Sequence, residues 1–505
     1  MEYPVDRLEI QDADGTKRRH EAIAAALEAA LSESRLKPGD RLPTVRALAR
    51  HLGVSGASVA AAYELLGRRG LTRGEVGRGT FVSHGSLAGG GSADEPRRRA
   101  GEPGEAVRVP WRRALLRSTV SRIEAAHPDA VDCAAGHPDA ALLPLALLRR
   151  CYGDALASLT HRDLQYAGAE PVGVFADAVA GRLRADGVPA RAEDVVVATS
   201  SLQLIDLLLG VLSLDERAPL VAVEQPGYPT THDSVDRHGW RPIAVDVDSE
   251  GMEPDSLDSA LAAGARLVVF TPRAQNPTGA SWTAQRHADL ADVLARHPQA
   301  IVVEDDHAAG VVDAGPCSLA SDERVRDRVV HIRSFSKAIA PDLRITAALV
   351  PPSLRAAILE EKSAADGWTS RLSQRAVALM LKDASLNAVL AEACHVYERR
   401  RRAASVPLQT PELAATGAML QPARSGLNLW ITLPRGADQA AVLERAAAYG
   451  VVVAPGEPFY VSRGHRDAIR FTVGAVGEEA AADAATSLAR AILSTTTTRT
   501  RVDPV

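Results

Sequence analysis

Hydrophobic positions change their spacing along the chain, and this change predicts two differently built parts. In the first part, apolar residues recur every three to four positions, as on the buried face of a helix. Two short apolar runs separated by a Gly-rich turn follow, which is typical of a β-hairpin. Three helices and a hairpin form a winged helix-turn-helix, which we expect over residues 1–82. The predicted elements are helices over residues 17–31, 42–51 and 55–66, and strands over residues 71–73 and 79–82.

Residues that start or stop helices mark the boundaries within this first part. Pro43 is expected in the first turn of the second helix, where its missing N–H is not needed. Gly53 is expected to end that helix, and the hydroxyl of Ser55 to cap the third.

Beyond residue 130 the pattern changes to β-branched apolar runs that alternate with helical segments. Strands separated by helices predict an α/β domain, over residues 130–494, with a mainly parallel sheet covered on both faces. Residues 83–129 are predicted to be a flexible linker, and the Thr-rich residues 495–505 a disordered tail. The predicted strands of the α/β domain lie at residues 195–198, 220–223, 242–245, 267–270, 301–303 and 329–332.

Length, cysteine spacing and charge narrow the class of protein. A chain of 505 residues is too long for one ordinary core, and it holds no apolar stretch of membrane-spanning length and no apolar signal segment, so we expect a cytoplasmic protein. Its four scattered cysteines match no zinc or disulfide pattern. The net charge of -5 offers no general attraction for nucleic acid, so DNA binding must come from a local surface.

One stretch of the α/β domain concentrates reactive side chains: Ser334-Phe-Ser-Lys-Ala-Ile-Ala-Pro-Asp-Leu-Arg344. Lys337 follows a predicted buried strand, where desolvation lowers the pKa of an ammonium group. The resulting amine can form a Schiff base with an aldehyde such as pyridoxal 5′-phosphate (PLP). Arg344 is suited to a phosphate, and Ser334 and Ser336 add hydroxyl donors. A lysine that merely extends from a strand end to solvent is the structural alternative.

Further polar residues follow other predicted strands, and open α/β sheets bind ligands at these strand ends. The segment 199–203 leads into a helix whose free N–H groups suit a phosphate, and Tyr228 can stack on a pyridine ring. Asn276 can donate to a phenolate oxygen, and an aspartate of Glu304-Asp-Asp-His307 can keep a pyridine nitrogen protonated. A metal cluster at residues 304–307 is the alternative, but neighbouring strand residues point to opposite sides.

Three segments of the first part resemble the GntR-type DNA-binding domain: residues 36–49, 52–55 and 77–82. The resemblance covers residues 17–82 and implies DNA contacts by Arg46, Ser55, Ser58, Arg78 and Gly79. Gly56 and Ala60 stand where the family usually has basic residues, so base readout by the third helix is expected to be weaker. One such domain would bind DNA weakly and in a salt-dependent way, which favours a dimer.

The strand-end residues together resemble the fold type I aminotransferases, and the whole chain resembles a MocR-type transcriptional regulator. This resemblance implies a large domain with a mainly parallel sheet, a small C-terminal α/β subdomain and a head-to-tail homodimer. It gives Lys337 the Schiff base, Asp305 the pyridine nitrogen, Asn276 the phenolate oxygen O3′, Tyr228 the ring stacking, and Arg470 the carboxylate of an effector. The implied phosphate ligands are Ser201, Gln203, Ser334, Ser336 and Arg344, with Tyr166 reaching across from a second subunit.

The chain departs from the family pattern at three positions. His307 replaces a tyrosine usual after the paired acids and is expected near O3′ of the cofactor. Ser201 replaces a glycine at the phosphate turn, which restricts the backbone. Asn428 stands where these regulators often have histidine, so the effector pocket is expected to differ.

The sequence therefore supports a PLP-dependent regulator that binds double-stranded DNA and senses a small amine, an amino acid or PLP itself. An active aminotransferase with a DNA-binding appendage is the main alternative, since the residues for a half-transamination are present. A third hypothesis is a domain that no longer binds PLP and only dimerises. No metal is expected.

Overall fold

The computed structural model describes residues 23, 24, 26, 27, 40–68, 72–75, 79–82, 110–213, 219–312, 318–465 and 467–499. They belong to two compact units, residues 1–106 and 107–505. Several predictions therefore lie outside the described residues: the DNA contact of Arg78, most of the first helix, residues 83–109 of the linker and residues 500–505 of the tail.

The first unit has the helix–helix–hairpin order that the sequence predicts. Leu48, Val59 and Leu66 of the two described helices pack into one core with Ile23 and Leu27, which are themselves helical. The hairpin strands pair antiparallel, with Thr72 opposite Val82. The described elements are the helices Val45–Leu52 and Gly56–Arg68 and the strands β1 Thr72–Glu75 and β2 Gly79–Val82.

The second helix of this unit begins later than predicted. Pro43, which was predicted in its first turn, lies before the helix. The helix begins at Val45 because the Thr44 hydroxyl caps it by accepting the N–H of Ala47 at 3.2 Å. Gly53 ends the helix in the left-handed conformation (φ 63°), as predicted. Ser55 caps the next helix through the N–H of Ser58 at 3.1 Å, also as predicted.

The second unit is an α/β domain with a smaller subdomain at its C-terminal end, which confirms the predicted fold class. Its strands are β3 Val131–Asp132, β4 Val195–Ala198, β5 Leu220–Gln225, β6 Arg241–Asp248, β7 Gly251–Met252, β8 Leu267–Phe270, β9 Ile301–Asp306, β10 Val329–Ser334, β11 Thr346–Leu349, β12 Met419–Leu420, β13 Asn428–Thr432, β14 Val451–Val452, β15 Ala454–Pro455 and β16 Ala468–Thr472. Its α-helices are Trp111–Ala126, Leu145–Ala157, Gly173–Ala185, Ser201–Leu212, Pro229–Arg237, Pro254–Ala262, Ala284–Arg296, Pro352–Ala365, Arg371–Lys382, Ala384–Ser405, Pro411–Ala414, Gln439–Ala448 and Glu478–Arg499.

The large sheet carries the site and has the order β4-β11-β10-β9-β8-β5-β6-β7 within the described residues. Strands β10, β9, β8, β5 and β6 pair in parallel, whereas β11 is antiparallel to both of its neighbours. Side chains alternate between two cores: Val195 and Val197 pack on one face, Val196 and Ala198 on the other. Helices cover both faces, so the sheet is buried as the continuous apolar runs indicate.

The predicted linker, residues 83–129, is wrong in its second part, where the chain forms the helix Trp111–Ala126. Leu116, Val120 and Ile123 fall on one side of this helix and pack into the core of the small subdomain. That subdomain is built on the sheet β12-β13-β16-β15. Its surface provides the apolar partner that makes the helix stable, and sequence composition alone did not reveal this partner.

The predicted tail begins too early, because the last helix, Glu478–Arg499, includes residues 495–499. The hydroxyl of Thr495 donates to the carbonyl of Ala491 at 3.1 Å, so this threonine continues the helix while its own hydroxyl stays bonded. No helix in the described part of the chain is long and apolar enough to cross a membrane.

Candidate functional site

A cavity of about 620 Å³ opens at the edge where the carboxyl ends of β4, β5, β8, β9 and β10 meet. Strands that run in the same direction bring their final residues to the same edge, so residues far apart in sequence converge here. The small subdomain closes the opposite side with residues of β13 and β16. The predicted site residues that line the cavity are Ser201, Tyr228, Asn276, Asp305, His307, Ser334, Ser336, Lys337, Arg344 and Arg470.

Lys337 lies in this cavity three residues beyond the end of β10. Its Nζ donates to the carbonyl oxygen of Gly136, which is 201 residues away in the chain. Burial, and secondarily the positive charge of Arg470, lowers the pKa of Lys337 to about 8. The amine therefore loses its proton much more readily than an ordinary lysine, and the neutral form is the one that attacks an aldehyde.

Two adjacent aspartates at the end of β9 have opposite environments. Asp306 is fully buried and forms ion pairs with Arg273 at 2.9 Å and Arg333 at 3.1 Å, whose charges hold its pKa below the usual value despite burial. Asp305 faces the cavity, and burial raises its pKa although a hydrogen bond from Ser201 and the charge of His307 oppose the shift. Oδ1 of Asp305 is buried without a hydrogen-bond partner. This oxygen is therefore available to a donor on a ligand.

His307 lies beside Asp305 on the cavity wall. Burial lowers its pKa, and the charge of Lys337 lowers it further. Its Nε2 is 3.1 Å from the carbonyl oxygen of Ala274, so the neutral ring carries its proton on Nε2 and donates it to that oxygen. Ala274 itself has a positive φ of 50°, which is uncommon for a non-glycine residue. His307, which stands where the family usually has tyrosine, is thus a neutral imidazole held in one orientation by Ala274.

Asn276 and Arg470 form a pair at the border with the small subdomain. Nη1 of Arg470 donates to Oδ1 of Asn276 at 3.1 Å, which leaves the Asn276 amide N–H groups to donate elsewhere. Nη2 of Arg470 donates to the carbonyl of Ala134, and its guanidinium stacks 4.9 Å above the ring of Phe459. Burial lowers the pKa of Arg470 to about 10. This cation is fixed in place by neutral groups and suits a ligand carboxylate.

The predicted phosphate side of the cavity holds Arg344 and the start of the helix Ser201–Leu212. Ser200 caps this helix and accepts the N–H of Gln203 at 3.1 Å. Arg344 follows a short 3₁₀ turn with a left-handed backbone (φ 50°), which is unusual for a non-glycine residue. Among the described residues, no carboxylate forms an ion pair with Arg344. A cation and a helix N-terminus together form an anion site.

Two predicted cofactor ligands do not reach the cavity of this chain. The side chain of Gln203 accepts the backbone N–H of Thr199 at 2.8 Å and donates to Asp366 at 2.7 Å, so both ends of its amide are occupied. Placement of its side chain on the phosphate is therefore wrong for this structure. Tyr166 is 89% exposed and contacts Trp368 edge-on, away from the cavity lining. Its exposure is compatible with the predicted reach into a second subunit.

The predicted DNA contacts lie in the first unit. Arg46 is exposed in the first turn of the helix Val45–Leu52. The hydroxyls of Ser55 and Ser58 are hydrogen-bonded to each other at 2.9 Å, at the start of the next helix. Gly79 begins β2.

Several lining residues were missed by sequence reasoning. Gly136 and His137 come from the segment after β3, and a Cβ at Gly136 would lie 3.7 Å from the Arg470 guanidinium. Arg113 and Arg117 come from the helix that was predicted as linker. The segment Ala135-Gly-His-Pro138 offered a turn pattern but no chemistry that ties it to Lys337. Among the described residues, no group of His, Cys, Asp and Glu could hold a metal ion.

Comparisons with known proteins agree with both units. Residues 154–488 match the family described as aminotransferase class I and II, and residues 19–82 match the gntR family of bacterial regulatory proteins. The chain is 30% identical to the vitamin B6 salvage pathway transcriptional repressor PtsJ of Salmonella typhimurium, over 85% of this chain and 88% of that one. It is 27% identical to the HTH-type transcriptional regulator TauR of Rhodobacter capsulatus, over 97% of this chain and all of that one.

Solved structures match the second unit. LysN, an α-aminoadipate aminotransferase from Thermus thermophilus solved with N-(5′-phosphopyridoxyl)-L-leucine, is 25% identical with a TM-score of 0.65, over 76% of this chain and 96% of that one. A multiple substrate aminotransferase from Thermococcus profundus is 22% identical with a TM-score of 0.69, over 79% of this chain and 97% of that one, and shows the fold.

Proposed function

We propose that this chain, which belongs to the MocR-type transcriptional regulators with a GntR domain before a class I and II aminotransferase domain, binds PLP at Lys337 and DNA through Arg46. One observation carries the cofactor assignment. A single cavity brings together an amine of lowered pKa, a buried carboxylate oxygen without a partner, and two arginines that form no ion pair with a described carboxylate. These groups fit the aldehyde, the ring nitrogen, the phosphate of PLP and one ligand carboxylate.

Each residue has a distinct task in this assignment. When bound, PLP supplies an aldehyde that amines attack and a ring that withdraws electrons. The free oxygen of Asp305 would accept a hydrogen bond from the protonated ring nitrogen, and the Asn276 amide would donate one to the phenolate oxygen. The phosphate is held by Arg344, the hydroxyls of Ser201, Ser334 and Ser336, and the start of the helix Ser201–Leu212. Tyr228, which lines the cavity, would stack on the ring, and His307, bonded to Ala274, would close the wall near the phenolate.

Arg470 is proposed to select the effector. Its buried guanidinium would bind the carboxylate of an amino acid and so orient the amine of that ligand toward Lys337. Regulation then requires that the ligand bind one state of the protein more tightly than another, because equal affinity for both states shifts no equilibrium. A small amine, an amino acid or free PLP could each enter this cavity, and the effector is the one that binds one state more tightly.

The cofactor assignment is tested by titrating purified full-length protein with PLP. We expect a visible absorption band and, after borohydride reduction, a stable mass increase on the peptide that contains Lys337. The Lys337→Ala variant should show neither. A wild-type protein that stays colourless and gains no mass would refute PLP binding and favour a purely structural domain.

The DNA assignment is tested by gel shift at physiological salt on the region upstream of the gene. We expect Arg46→Ala to weaken binding without a change in PLP content, whereas Arg122→Ala removes a charge from the second unit and should leave DNA binding unchanged. Equal affinity of the Arg46→Ala and wild-type proteins would contradict the contact.

A homodimer is also part of the proposal. The molar mass of the protein in solution, measured by light scattering, tests it.

Turnover distinguishes the alternative, an active aminotransferase that also binds DNA. The cavity holds the groups that a half-transamination needs, and this observation supports the alternative. Full conversion of the cofactor to its amine form by an amino acid, followed by repeated turnover with a keto acid, would favour the enzyme. A spectrum that shifts with the amino acid and does not cycle favours the sensor.

A further inference from the structure

The cavity carries more positive charge than PLP and one carboxylate account for. Asp305 is the one carboxylate residue among the described residues that line it. In the proposed function, Lys337 takes the aldehyde, and Arg344 and Arg470 take a phosphate and a carboxylate. Two further cations therefore remain without an assigned anion. The cationic lining residues are Arg113, Arg117, Lys337, Arg344 and Arg470.

The two remaining cations lie on one face of the helix Trp111–Ala126. Arg113 and Arg117 are four residues apart, so their side chains lie one turn above each other. Within the described part of the chain, neither forms an ion pair with a carboxylate. Arg122 on the same helix does pair, with Glu444. Arg122 thus has an acidic partner, whereas Arg113 and Arg117, which line the cavity, form no ion pair among the described residues.

The position of this helix is fixed by a buried anchor. Arg112 is 1% exposed and forms ion pairs with Asp233 at 3.3 Å and Asp236 at 2.6 Å. The backbone N–H of Arg113 donates to the same Asp233 at 3.0 Å. Asp233 belongs to the helix Pro229–Arg237, which follows directly after Tyr228. The anchor therefore holds Arg113 against the helix next to the proposed stacking ring.

An apolar wall accompanies the two cations. Leu116 and Val120 of the same helix also line the cavity and belong to its inward face. Such a surface suits the methylene groups of a ligand side chain, whereas the guanidinium groups suit an anion at its end. The cavity lining thus combines three environments: Arg470 for one carboxylate, an apolar wall, and a second pair of cations.

We propose that Arg113 and Arg117 form a second anion subsite and that the effector is an α-amino acid whose side chain ends in a carboxylate. This inference rests on the proposed function, because Lys337 and Arg470 must hold the amine and the first carboxylate. The ligand then spans from Arg470 to the helix Trp111–Ala126, and its net negative charge matches the surplus of cations. Neutral amino acids of the same shape fill the same space without the second ion pair.

The test uses full-length protein loaded with PLP. L-aspartate, L-glutamate and L-2-aminoadipate are titrated, each against the amide of its side-chain carboxylate, and binding is measured by calorimetry and by the change in the PLP absorption band. We expect at least one dicarboxylate to bind about tenfold or more tightly than its amide, as the loss of a charge-assisted contact implies. The Arg113→Gln/Arg117→Gln variant should lose this preference, while its affinity for the amide changes by less than about threefold.

A matched control separates the subsite from general charge. Arg122→Gln removes a cation of the same helix outside the cavity and should keep the wild-type preference. Equal binding of acids and amides, a preference that survives in the double variant, or a PLP-loaded protein whose band no amino acid perturbs would each overturn the subsite while leaving PLP binding intact. Failure of the proposed function is distinct, since the wild-type protein would then show no PLP band at all.

Discussion

The contrast between Asp305 and Asp306 provides the sharpest test of the site. Asp305→Asn keeps the shape of the side chain but removes its charge. In the cofactor-free protein the carboxylate is buried and its Oδ1 has no partner, so ionisation is disfavoured there. The substitution should therefore leave the melting temperature of the cofactor-free protein unchanged or raise it. Most substitutions of buried residues instead lower the melting temperature.

The same substitution should weaken PLP binding. If the free oxygen of Asp305 accepts the charged ring N–H, its loss removes a charge-assisted hydrogen bond of about 1.5–3 kcal/mol. The dissociation constant of PLP should then rise roughly 10- to 150-fold. Titration at 25 °C, followed by absorption and by the PLP-dependent rise in melting temperature, measures this change.

Asp306→Asn is the matched comparison. It removes the partner of Arg273 and Arg333 and leaves two buried cations without their shared carboxylate, which costs about 3–5 kcal/mol. We expect a large fall in the stability of the cofactor-free protein from this neighbour and none from Asp305→Asn. A destabilised Asp305→Asn protein with unchanged PLP affinity would refute the reasoning, because it would make Asp305 a structural residue.

Three further predictions follow from the site. Arg344→Ala should raise the PLP dissociation constant about tenfold or more, because a charge-assisted phosphate contact is lost, and an unchanged titration would remove Arg344 from the site. The rate of PLP incorporation should rise with pH through about 8, where half of the Lys337 amine is neutral, and level off above that value, because the ammonium must lose its proton. Stopped-flow absorption measures this rate, and a rate that keeps rising without a plateau toward the ordinary lysine pKa would contradict the lowered pKa. Burial raises the pKa of Glu224 from 4.5 to about 8, so the unfolded chain releases this proton at lower pH than the folded protein. The free energy of unfolding of the wild type should therefore fall as pH rises from about 4.5 to 8. The melting temperature of Glu224→Gln relative to wild type should therefore increase across that window, and a constant difference would show that Glu224 is already ionised in the folded protein.

Much of the site was predictable because it lies at strand ends. Asp305, Tyr228 and Asn276 each follow an apolar run, and the parallel arrangement places such positions at one edge whatever the details of packing. Arg470 needed the resemblance to known regulators, since nothing near it in sequence indicates a ligand. Gln203 was assigned wrongly because its amide finds partners in Thr199 and Asp366, and Asp366 is 163 residues away.

The sequence by itself determined the fold class, the order of the two units and the residues available for chemistry, since periodicity, breaker residues and motif order are local properties of the chain. Only the tertiary structure decided which of these groups are partnered. It placed Lys337 against Gly136, left an oxygen of Asp305 free while satisfying Asp306, and turned a presumed linker into a helix that lines the cavity. These outcomes depend on contacts between residues that are tens to hundreds of positions apart. Such contacts set the burial and pairing of each group, and thereby its pKa and its vacant hydrogen bonds.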